Sequence, residues 1–299
     1  MRPLRVLSRE SPLAILQAEI VADLLGQQHP DLGIELVQRV STGDQSTATI
    51  AEFGGKAAFA LNLQEMLLAC EADVVVHSAK DLQPTCLDGL MIGAVPERED
   101  PADAIVGVPW GEVPEGAHFK TGSARRAALV QHFHPGAKIE SLRGNIDTRL
   151  DQLKFCDAIL MAMAAINRMN IGERRSLVVD RLDPDIFIPQ VGQGTLAVEC
   201  RIDDSRTREL LAPIDHTASR LALEAERAFL RAMDGDCSTP GGAYATVEDD
   251  GQILIRGILA NGNDGEHVVT DTETAHPSAD PGATLAFRLK DLLGADGGS

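Results

Sequence analysis

The segment that decides the fold is Ala72-Asp73-Val74-Val75-Val76-His77-Ser78-Ala79-Lys80-Asp81. Its first five residues are apolar apart from Asp73, and a short apolar run of this kind is typical of a fully buried strand. The polar residues from His77 to Asp81 follow the strand directly. Ligands of open α/β sheets bind beyond the carboxyl ends of the strands, so Lys80 and Asp81 stand where a site is expected.

The same alternation of strands and helices continues on both sides of this segment. Strands are predicted at residues 4–8, 34–40, 72–76, 90–95, 104–108, 138–142 and 158–162, and helices at residues 12–27 and 57–70 and from Ala124 and Ile146. This order predicts parallel sheets with helices on both faces. The polar run at residues 96–101, bracketed by prolines, predicts a linker between two α/β domains.

The last third of the chain has a different pattern. A long amphipathic helix is predicted at residues 216–233, followed by strand-like segments at 243–248, 252–260 and 266–272 and by a helix near residues 283–293. Asp-Asp-Gly and Asn-Gly turns separate the strands. This order predicts a third, smaller α+β domain.

Composition and charge exclude several classes of protein. With 299 residues, 44% of them hydrophobic and 24% charged, the chain is globular and long enough to bury sizeable cores. The net charge of −18 and the aromatic content of 3% argue against a protein that holds nucleic acid or anionic lipid. No apolar run reaches the roughly 18 residues that cross a bilayer, and no signal peptide begins the chain, so we expect a cytoplasmic protein or a mature form. The five cysteines include no Cys-x-x-Cys pair, so no metal site is expected.

The basic residues point to an anionic ligand. Arginine accounts for 21 of the 27, and guanidinium groups suit two-pronged binding of carboxylate or phosphate, although a GC-rich genome gives the same bias. Cations at a helix N-terminus are disfavoured by about 0.3–1 kcal/mol, and an anion bound there removes the conflict. Each arginine could instead turn to a surface carboxylate, but three such helix starts together favour a polyanion site. They are Ser11 with Arg9, Ser123 with Arg125 and Arg126, and Asn145 with Arg143 and Arg149.

Two further positions carry candidate chemistry. Asp81, beside Lys80, would stay ionised and could stabilise a developing positive charge or move a proton; the alternative is a loop cap or an ion pair with Lys80. His77 is assigned a structural role. Cys237 lies in a loop whose acidic residues disfavour a thiolate, so it is either an attachment point for a covalent group or without a chemical role.

Two short motifs resemble nucleotide-binding motifs but lack the neighbouring residues or elements that nucleotide binding requires. Residues 192–197 fit G-x-G-x-x-A, but a strand-like run follows them where a dinucleotide site needs a helix. Gly54-Gly55-Lys56 is followed by Ala57, where a phosphate-binding loop has Ser or Thr.

Short motifs follow one another in a specific order along the chain. They are Ser8-Arg9-Glu10-Ser11-Pro12-Leu13-Ala14, Thr42-Gly43-Asp44, Gly54-Gly55-Lys56, Val76-His77-Ser78-Ala79-Lys80-Asp81, Glu97-Arg98-Glu99-Asp100-Pro101, Arg125-Arg126, Ser141-Leu142-Arg143-Gly144-Asn145, Thr148-Arg149-Leu150, Val191-Gly192-Gln193-Gly194 and Cys237-x-x-Pro240. In this order they resemble the porphobilinogen deaminase family, also called hydroxymethylbilane synthases, over essentially the whole chain.

The resemblance implies a fold of class α/β. It has two doubly wound domains of periplasmic-binding-protein type plus a small C-terminal α+β domain. Domain 1, with the catalytic aspartate, would comprise residues 1–96 and 191–212. Domain 2, rich in anion-binding arginines, would comprise residues 97–190, and domain 3, with the cofactor cysteine, residues 213–299.

The resemblance also implies an activity: a transferase that deaminates four porphobilinogen molecules and joins them head to tail into hydroxymethylbilane. The primer would be a dipyrromethane cofactor in thioether linkage to Cys237, and Asp81 would be the catalytic carboxylate. The enzyme would act as a monomer, without metal, nucleic acid or membrane. The remaining roles implied are cofactor binding by Ser78, Lys80, Thr121, Ser123, Arg125, Arg126 and Gly144, substrate binding by Arg9, Ser11, Arg143, Arg149, Arg168 and Gln193, and a lid with Lys56 and Phe59.

The sequence departs from the family pattern at several positions, and two rival functions stay open. The departures are Glu52, Ala57, Leu61-Asn62-Leu63-Gln64, Gln83 and Gly241. One rival is a two-lobed anion-binding protein without catalysis, which would need neither Asp81 nor Cys237. The other is an inactive relative of the deaminase that acts as a regulator.

Overall fold

The structure is a computed structural model that describes residues 2–39, 57–233, 240–262, 265 and 267–296. Three expected site features lie outside this description: Lys56, Cys237 and the side chain of Phe59. No helix in the described ranges combines the length and the apolar character that a membrane crossing requires.

The described strands and helices follow one another along the whole chain. The strands are β1 (Leu4–Arg9), β2 (Ile34–Arg39), β3 (Val74–Ser78), β4 (Leu90–Ala94), β5 (Asp103–Val106), β6 (His118–Lys120), β7 (Lys138–Glu140), β8 (Ala158–Ala162), β9 (Val179–Arg181), β10 (Leu196–Arg201), β11 (Gly241–Val247), β12 (Ile253–Ala260) and β13 (Val268–Ala275). The helices are α1 (Pro12–Gln28), α2 (Ala57–Leu68), α3 (Ala124–Phe133), α4 (Ile146–Leu150), α5 (Met163–Arg168), α6 (Ile171–Arg175), α7 (Ser205–Leu211), α8 (Thr217–Ala232) and α9 (Pro281–Asp296).

The first of two compact units comprises Met1–Arg98 and Thr195–Arg220. Its five-stranded sheet has the order β2-β1-β3-β10-β4. The strands β1, β2 and β3 run parallel, whereas β10 is antiparallel to both of its neighbours. Helix α1 packs Val21 and Leu25 on one face of this sheet, and α2 packs Leu63 and Leu67 on the other.

The second unit comprises Glu99–Gly194 and Leu221–Ser299 and contains the other two sheets. Its five-stranded sheet has the order β7-β6-β8-β5-β9, in which β7, β6 and β8 run parallel and β5 is antiparallel to β8 and β9. Phe119 and Leu129 lie in the core on one face of this sheet, and Ile159 and Ile166 in the core on the other. The division into three domains stays a prediction.

The third sheet is the antiparallel meander β11-β12-β13. Phe229 of α8 and Leu285 and Leu289 of α9 pack against Ile253 and Ile255 of β12 to form its core. Two α/β sheets and this small C-terminal α+β layer confirm the expected fold class.

The expectation of parallel sheets is wrong where β5 and β10 join the sheets. Each of these strands follows a passage of the chain from one unit to the other, at residues 98–99 and 194–195. Leu196, the first residue of β10, pairs with Ser78, the last of β3, and Asp103 of β5 pairs with Ala162, the last of β8. A strand that enters beside the carboxyl ends of parallel strands must run against them. The alternation of helices and strands carries no information about this direction.

Several short elements were missed by the sequence analysis. The strands β6 and β9 have three residues each, and α5, α6 and α7 have six, five and seven. Elements of this length span too few residues to show a hydrophobic period. By contrast, β8 was predicted with its observed bounds, because it is a continuous apolar run.

Replacing Gly282 with Ala should destabilise the C-terminal α+β layer. A Cβ at this position of α9 would overlap the carbonyl oxygen of Ala225 in α8, so the two helices would have to separate. We expect the free energy of unfolding to fall by about 2 kcal/mol, as it does when a close-packed core is overfilled. Urea unfolding measures the change. Gly294→Ala is the matched control, because a Cβ there meets nothing within 4 Å; equal stability of the two variants would contradict this packing.

Candidate functional site

The carboxyl edge of the first sheet collects the expected site residues of the first unit. The neighbouring parallel strands β1 and β3 end at Arg9 and Ser78. Ser11 caps α1, since its side chain accepts a hydrogen bond from the Ala14 amide at 3.4 Å. A single 3-10 turn, Ala79–Asp81, follows β3 and carries Lys80 and the half-buried Asp81. The predicted helix cap is confirmed. Arg9 and Ser78 end adjacent strands, and Lys80 and Asp81 follow the second of them.

The turn that carries Asp81 is attached to the fold at two points. Gln17, buried in α1, donates from Nε2 to Ser78 Oγ at 3.0 Å. The Ala79 amide donates to the Thr195 carbonyl oxygen at 3.0 Å. One bond connects the turn to α1 and the other connects it to the segment before β10. Together they fix the start of the turn and therefore the position of Asp81 at the edge of the sheet.

The carboxyl edge of the second sheet collects most of the remaining expected residues. Its parallel strands β7, β6 and β8 are neighbours, and the expected residues follow their ends: Arg143, Gly144 and Arg149 after β7, Thr121, Ser123, Arg125 and Arg126 after β6, and Arg168 after β8. The predicted caps of α3 and α4 are confirmed, because Ser123 Oγ accepts from the Arg126 amide and Asn145 Oδ1 from the Thr148 amide.

Arg125 and Arg126 begin α3 and turn inward to one carboxylate. Arg125 Nη2 donates to Asp103 Oδ2 at 2.7 Å, and Arg126 donates from Nε and Nη2 to Oδ1 at 2.9 and 2.6 Å. The Nη1 atoms donate to main-chain carbonyls, that of Arg125 to Ile188 at 2.6 Å and that of Arg126 to Leu160 at 3.0 Å. Asp103 has no exposed surface, so the partner of this pair is an internal carboxylate and not a surface one.

The charges of this cluster do not cancel. Burial by itself raises the pKa of Asp103, but the charges of Arg125 and Arg126 outweigh it and lower the pKa to about 2. Burial lowers the pKa of the Arg125 guanidinium, against the effect of Asp103. Arginine stays charged in proteins, so the three side chains together carry one surplus positive charge. Arg125 Nε is buried and has no hydrogen-bond partner among the described residues, which leaves a donor for a further anionic group.

Gln193, expected to bind substrate, is completely buried beside the same carboxylate. Its Nε2 donates to Asp103 Oδ1 at 2.9 Å and to the Pro101 carbonyl at 2.8 Å, and its Oε1 accepts from Arg126 Nη2 at 3.3 Å. Through these bonds Gln193 connects Arg126 of α3 with Asp103 and with the Pro101 carbonyl. The described partners of Gln193 are internal, and a role toward substrate stays a prediction.

The other expected arginines of the second unit differ in their surroundings. Arg168 donates from Nη2 to the Gly194 carbonyl at 2.7 Å, and burial lowers the pKa of its guanidinium. Arg149 Nε donates to the Gly144 carbonyl at 2.7 Å, and Arg143 is exposed. Arg143 is therefore open to a ligand from solvent, whereas Arg168 also anchors the main chain.

Strand β11, the first described element after Cys237 in the sequence, passes against Arg125. A Cβ on Gly242 of β11 would lie 2.7 Å from Arg125 Cδ and would overlap the Pro189 carbonyl oxygen. A residue without a side chain is needed for this close approach. The buried arginine pair and the strand after the expected attachment loop are thus in contact within the second unit.

Two residues of these sites were missed by the sequence analysis, Asp103 and Gln17. Asp103 opens an otherwise apolar strand, and a buried acid requires a cationic partner, which Arg125-Arg126 offers. Gln17 lies on the buried face of α1, where a polar side chain needs a hydrogen-bond partner. In both cases the signal was a polar residue at an apolar position.

Asp103→Asn should lower the free energy of unfolding by about 3 kcal/mol near neutral pH, because two buried guanidinium groups lose their counter-charge. The folded-state pKa of about 2 lies below the ordinary value of 3.8. The stabilisation by the carboxylate, about 2 kcal/mol, is therefore complete above about pH 4 and is lost as the pH falls towards about pH 2. The difference in the free energy of unfolding between wild type and variant should therefore become smaller as the pH falls through this range.

Urea unfolding near pH 7 and near pH 3 measures this difference. Asp249→Asn, at an exposed turn of the same unit, should match wild type at both values. The carboxylate would not be the counter-charge if wild type and Asp103→Asn had the same free energy of unfolding near neutral pH. The same conclusion would follow if their difference did not become smaller in acid.

The family of the protein follows from comparison with known proteins. A family model described as "Porphobilinogen deaminase, dipyromethane cofactor binding domain" matches residues 4–209, and one described as "Porphobilinogen deaminase, C-terminal domain" matches residues 220–291. Relatives named porphobilinogen deaminase include that of Staphylococcus carnosus (strain TM300), 36% identical over 97% of this chain and 96% of the relative, and that of Brevibacillus brevis (strain 47 / JCM 6285 / NBRC 100599), 39% identical over 98% of this chain and 94% of the relative. A solved TRAP periplasmic solute binding protein from Desulfovibrio salexigens is 9% identical, with a TM-score of 0.42 over 72% of this chain and 73% of that chain. Since the family matches cover both parts of the chain in order, and the relatives are matched almost end to end, this protein belongs to the porphobilinogen deaminase family.

Proposed function

We propose that this protein is a transferase that deaminates porphobilinogen and joins four of the resulting units head to tail into linear hydroxymethylbilane. Its relatives are named for the deamination. The observation that carries the proposal is the shared edge of the first sheet, where β1 ends in Arg9 and β3 in the turn with Lys80 and Asp81. Two cations and an acid at one edge suit a pyrrole that carries carboxylate arms and develops positive charge.

The arginines would hold the acetate and propionate arms of substrate and growing chain. A guanidinium fork matches a carboxylate in shape and charge, and a helix N-terminus adds main-chain donors. The protein as a whole carries a charge of −18, so an anionic substrate is attracted only where the cations are concentrated. The substrate-binding set that we propose is Arg9, Ser11, Arg143, Arg149, Arg168 and Gln193.

Asp81 would supply the acid–base and electrostatic part of the reaction. Loss of ammonia from the aminomethyl group of porphobilinogen leaves a cationic azafulvene, and a carboxylate beside it stabilises the positive charge. The same carboxylate can take the proton that leaves the pyrrole when the new carbon–carbon bond has formed. Asp81 is half-buried, so its carboxyl group is partly shielded from water, and Lys80 precedes it in the same turn.

The second unit fits a dipyrromethane cofactor. Two buried guanidinium groups share the Asp103 carboxylate, and Arg125 Nε is buried without a partner among the described residues, so the cluster has capacity for an acid arm of the cofactor. When bound, the cofactor supplies the free pyrrole carbon to which the first substrate unit is joined. We propose that Cys237 is its thioether attachment and that Ser78, Lys80, Thr121, Ser123, Arg125, Arg126 and Gly144 bind it, with Lys56 and Phe59 in a lid.

This function places the protein in the biosynthesis of tetrapyrroles such as haem. We propose that it works there as a cytoplasmic monomer, with the catalytic aspartate, the anion-binding arginines and the attachment cysteine each in its own domain. The contact between β11 and Arg125 supports the last two being close within the second unit.

Intact-mass measurement tests the covalent cofactor. Protein purified after expression with a full cofactor supply should exceed its sequence mass by two pyrrole units. Cys237→Ser should lose this excess, because the thioether needs the sulfur atom. Cys70→Ser, at an exposed cysteine, is the control and should keep it. A wild-type mass without excess would refute the attachment, and an excess that survives in Cys237→Ser would assign it elsewhere.

Asp81→Asn should keep the fold and the cofactor mass but lose turnover. We expect the rate of ammonia release from porphobilinogen to fall at least about a hundredfold, the usual scale for removal of a positioned acid–base group. Asp88→Asn, an exposed aspartate after the same strand, should retain the wild-type rate. Near wild-type rates for Asp81→Asn would remove Asp81 from the mechanism. Anion binding by a wild-type protein that releases no ammonia would favour the non-catalytic rivals.

A further inference from the structure

The first unit contains a buried carboxylate that the proposed chemistry does not use. Glu199 of β10 has no exposed surface, and Gln64 of α2, also buried, donates from Nε2 to both of its oxygens at 3.0 and 2.9 Å. The Nε2 atom of His77, in the neighbouring strand β3, lies 3.0 Å from Glu199 Oε2, although the contact is not aligned as a hydrogen bond. Three polar side chains from α2, β3 and β10 thus meet in an otherwise apolar layer.

Contact geometry gives His77 a definite part in this cluster. Both oxygens of Glu199 accept hydrogen bonds from Gln64 Nε2, and a buried polar group needs such partners. The elements packed against Glu199 are α2, β3 and β4, and His77 is the titratable group within ion-pair distance in their described residues. The next cation along β10, Arg201, is turned instead to the carbonyls of Leu67 and Ala72 and to Asp204.

The cluster is connected to the turn that carries Asp81 by a short path. His77 precedes Ser78, the residue from which the turn Ala79–Asp81 begins. The strand of Glu199 holds the same stretch through its main chain, because Ala197 pairs with His77 and Leu196 with Ser78. A side-chain contact and a main-chain ladder therefore both join β10 to the last residues of β3.

We propose that Glu199 is a positioning residue: paired with His77 and fixed by Gln64, it holds the carboxyl end of β3 and thereby the turn with Lys80 and Asp81. The proposal rests on the proposed role of Asp81. Arg9 is the arginine of the substrate-binding set in the first unit, and the described contacts of the cluster do not include it, so disruption of the cluster should reduce kcat and leave KM nearly unchanged.

Gln64→Glu and Gln64→Leu separate a charge effect from a packing effect. Gln64→Glu puts a second carboxylate against Glu199, and two carboxylates beside one imidazole cannot both stay ionised. At low pH the two carboxyl groups of the variant share one proton, and its kcat should be close to that of wild type. At higher pH this proton is lost, and the kcat of the variant should fall about tenfold relative to wild type. Gln64→Leu removes the hydrogen bonds without adding charge, so its loss of kcat should be the same at every pH.

Glu199→Gln tests the positioning directly, by hydrogen exchange and by kinetics. Hydrogen exchange of the holoenzyme, followed by mass spectrometry, should show faster exchange in the peptide that contains residues 78–81. The kcat should fall about tenfold, with KM within about twofold of wild type. Glu65→Gln makes the same chemical change at an exposed position of α2 and should alter neither quantity.

These measurements decide the proposal in either direction. Unchanged exchange at residues 78–81 in Glu199→Gln would overturn it, as would a loss of kcat in Gln64→Glu that does not depend on pH. If Glu199→Gln fails to fold, hydrogen exchange and the pH profile of Gln64→Glu test the proposal in its place. If the wild-type protein releases no ammonia, the proposed function fails, but the exchange experiment still tests whether Glu199 holds the turn.

Discussion

The ion pairs between Asp103 and the two arginines of α3 are the contact on which the second unit depends. A carboxylate without exposed surface needs a counter-charge, and Arg125 and Arg126 provide two. Their Nη1 atoms donate to the Ile188 and Leu160 carbonyls, so the cluster joins β5, β8, α3 and the segment that contains Ile188. These ion pairs stabilise the fold, and their surplus positive charge leaves capacity for an anionic group. Stability and the proposed cofactor binding therefore depend on the same side chains.

The first unit has buried polar contacts at both ends of one strand. Just before β3, Asp73 is bound by Arg2 and Arg5; burial alone raises its pKa, but these hydrogen bonds lower it to about 2. At the carboxyl end of β3, His77 faces Glu199. The apolar residues between these contacts give the sheet its core, while the polar contacts set the position of the strand along its axis. A slip of β3 along its axis would separate both sets of partners.

The direction of β5 and β10 explains how distant residues reach the candidate sites. Both strands begin beside the carboxyl ends of parallel strands, so Asp103 and the Thr195 carbonyl lie at the sheet edges that carry the candidate site residues. Thr195 then holds the turn with Asp81, and Asp103 holds the arginines. Residues far apart in the chain thus support each candidate site, and the antiparallel direction of these two strands is what brings them there.

Local sequence patterns are sufficient for the features that depend on near neighbours. The caps Ser11, Ser123 and Asn145, the buried strand Ala158–Ala162 and the family are all readable from such patterns and their order. The direction of β5 and β10 and the partners of the buried polar groups, by contrast, emerge only in the folded chain. Gln193 meets a carboxylate 90 residues away, and Gln64 one 135 residues away. Pairings over such separations depend on how sheets and helices pack, because a residue's type states that it needs a partner but not which strand will bring one.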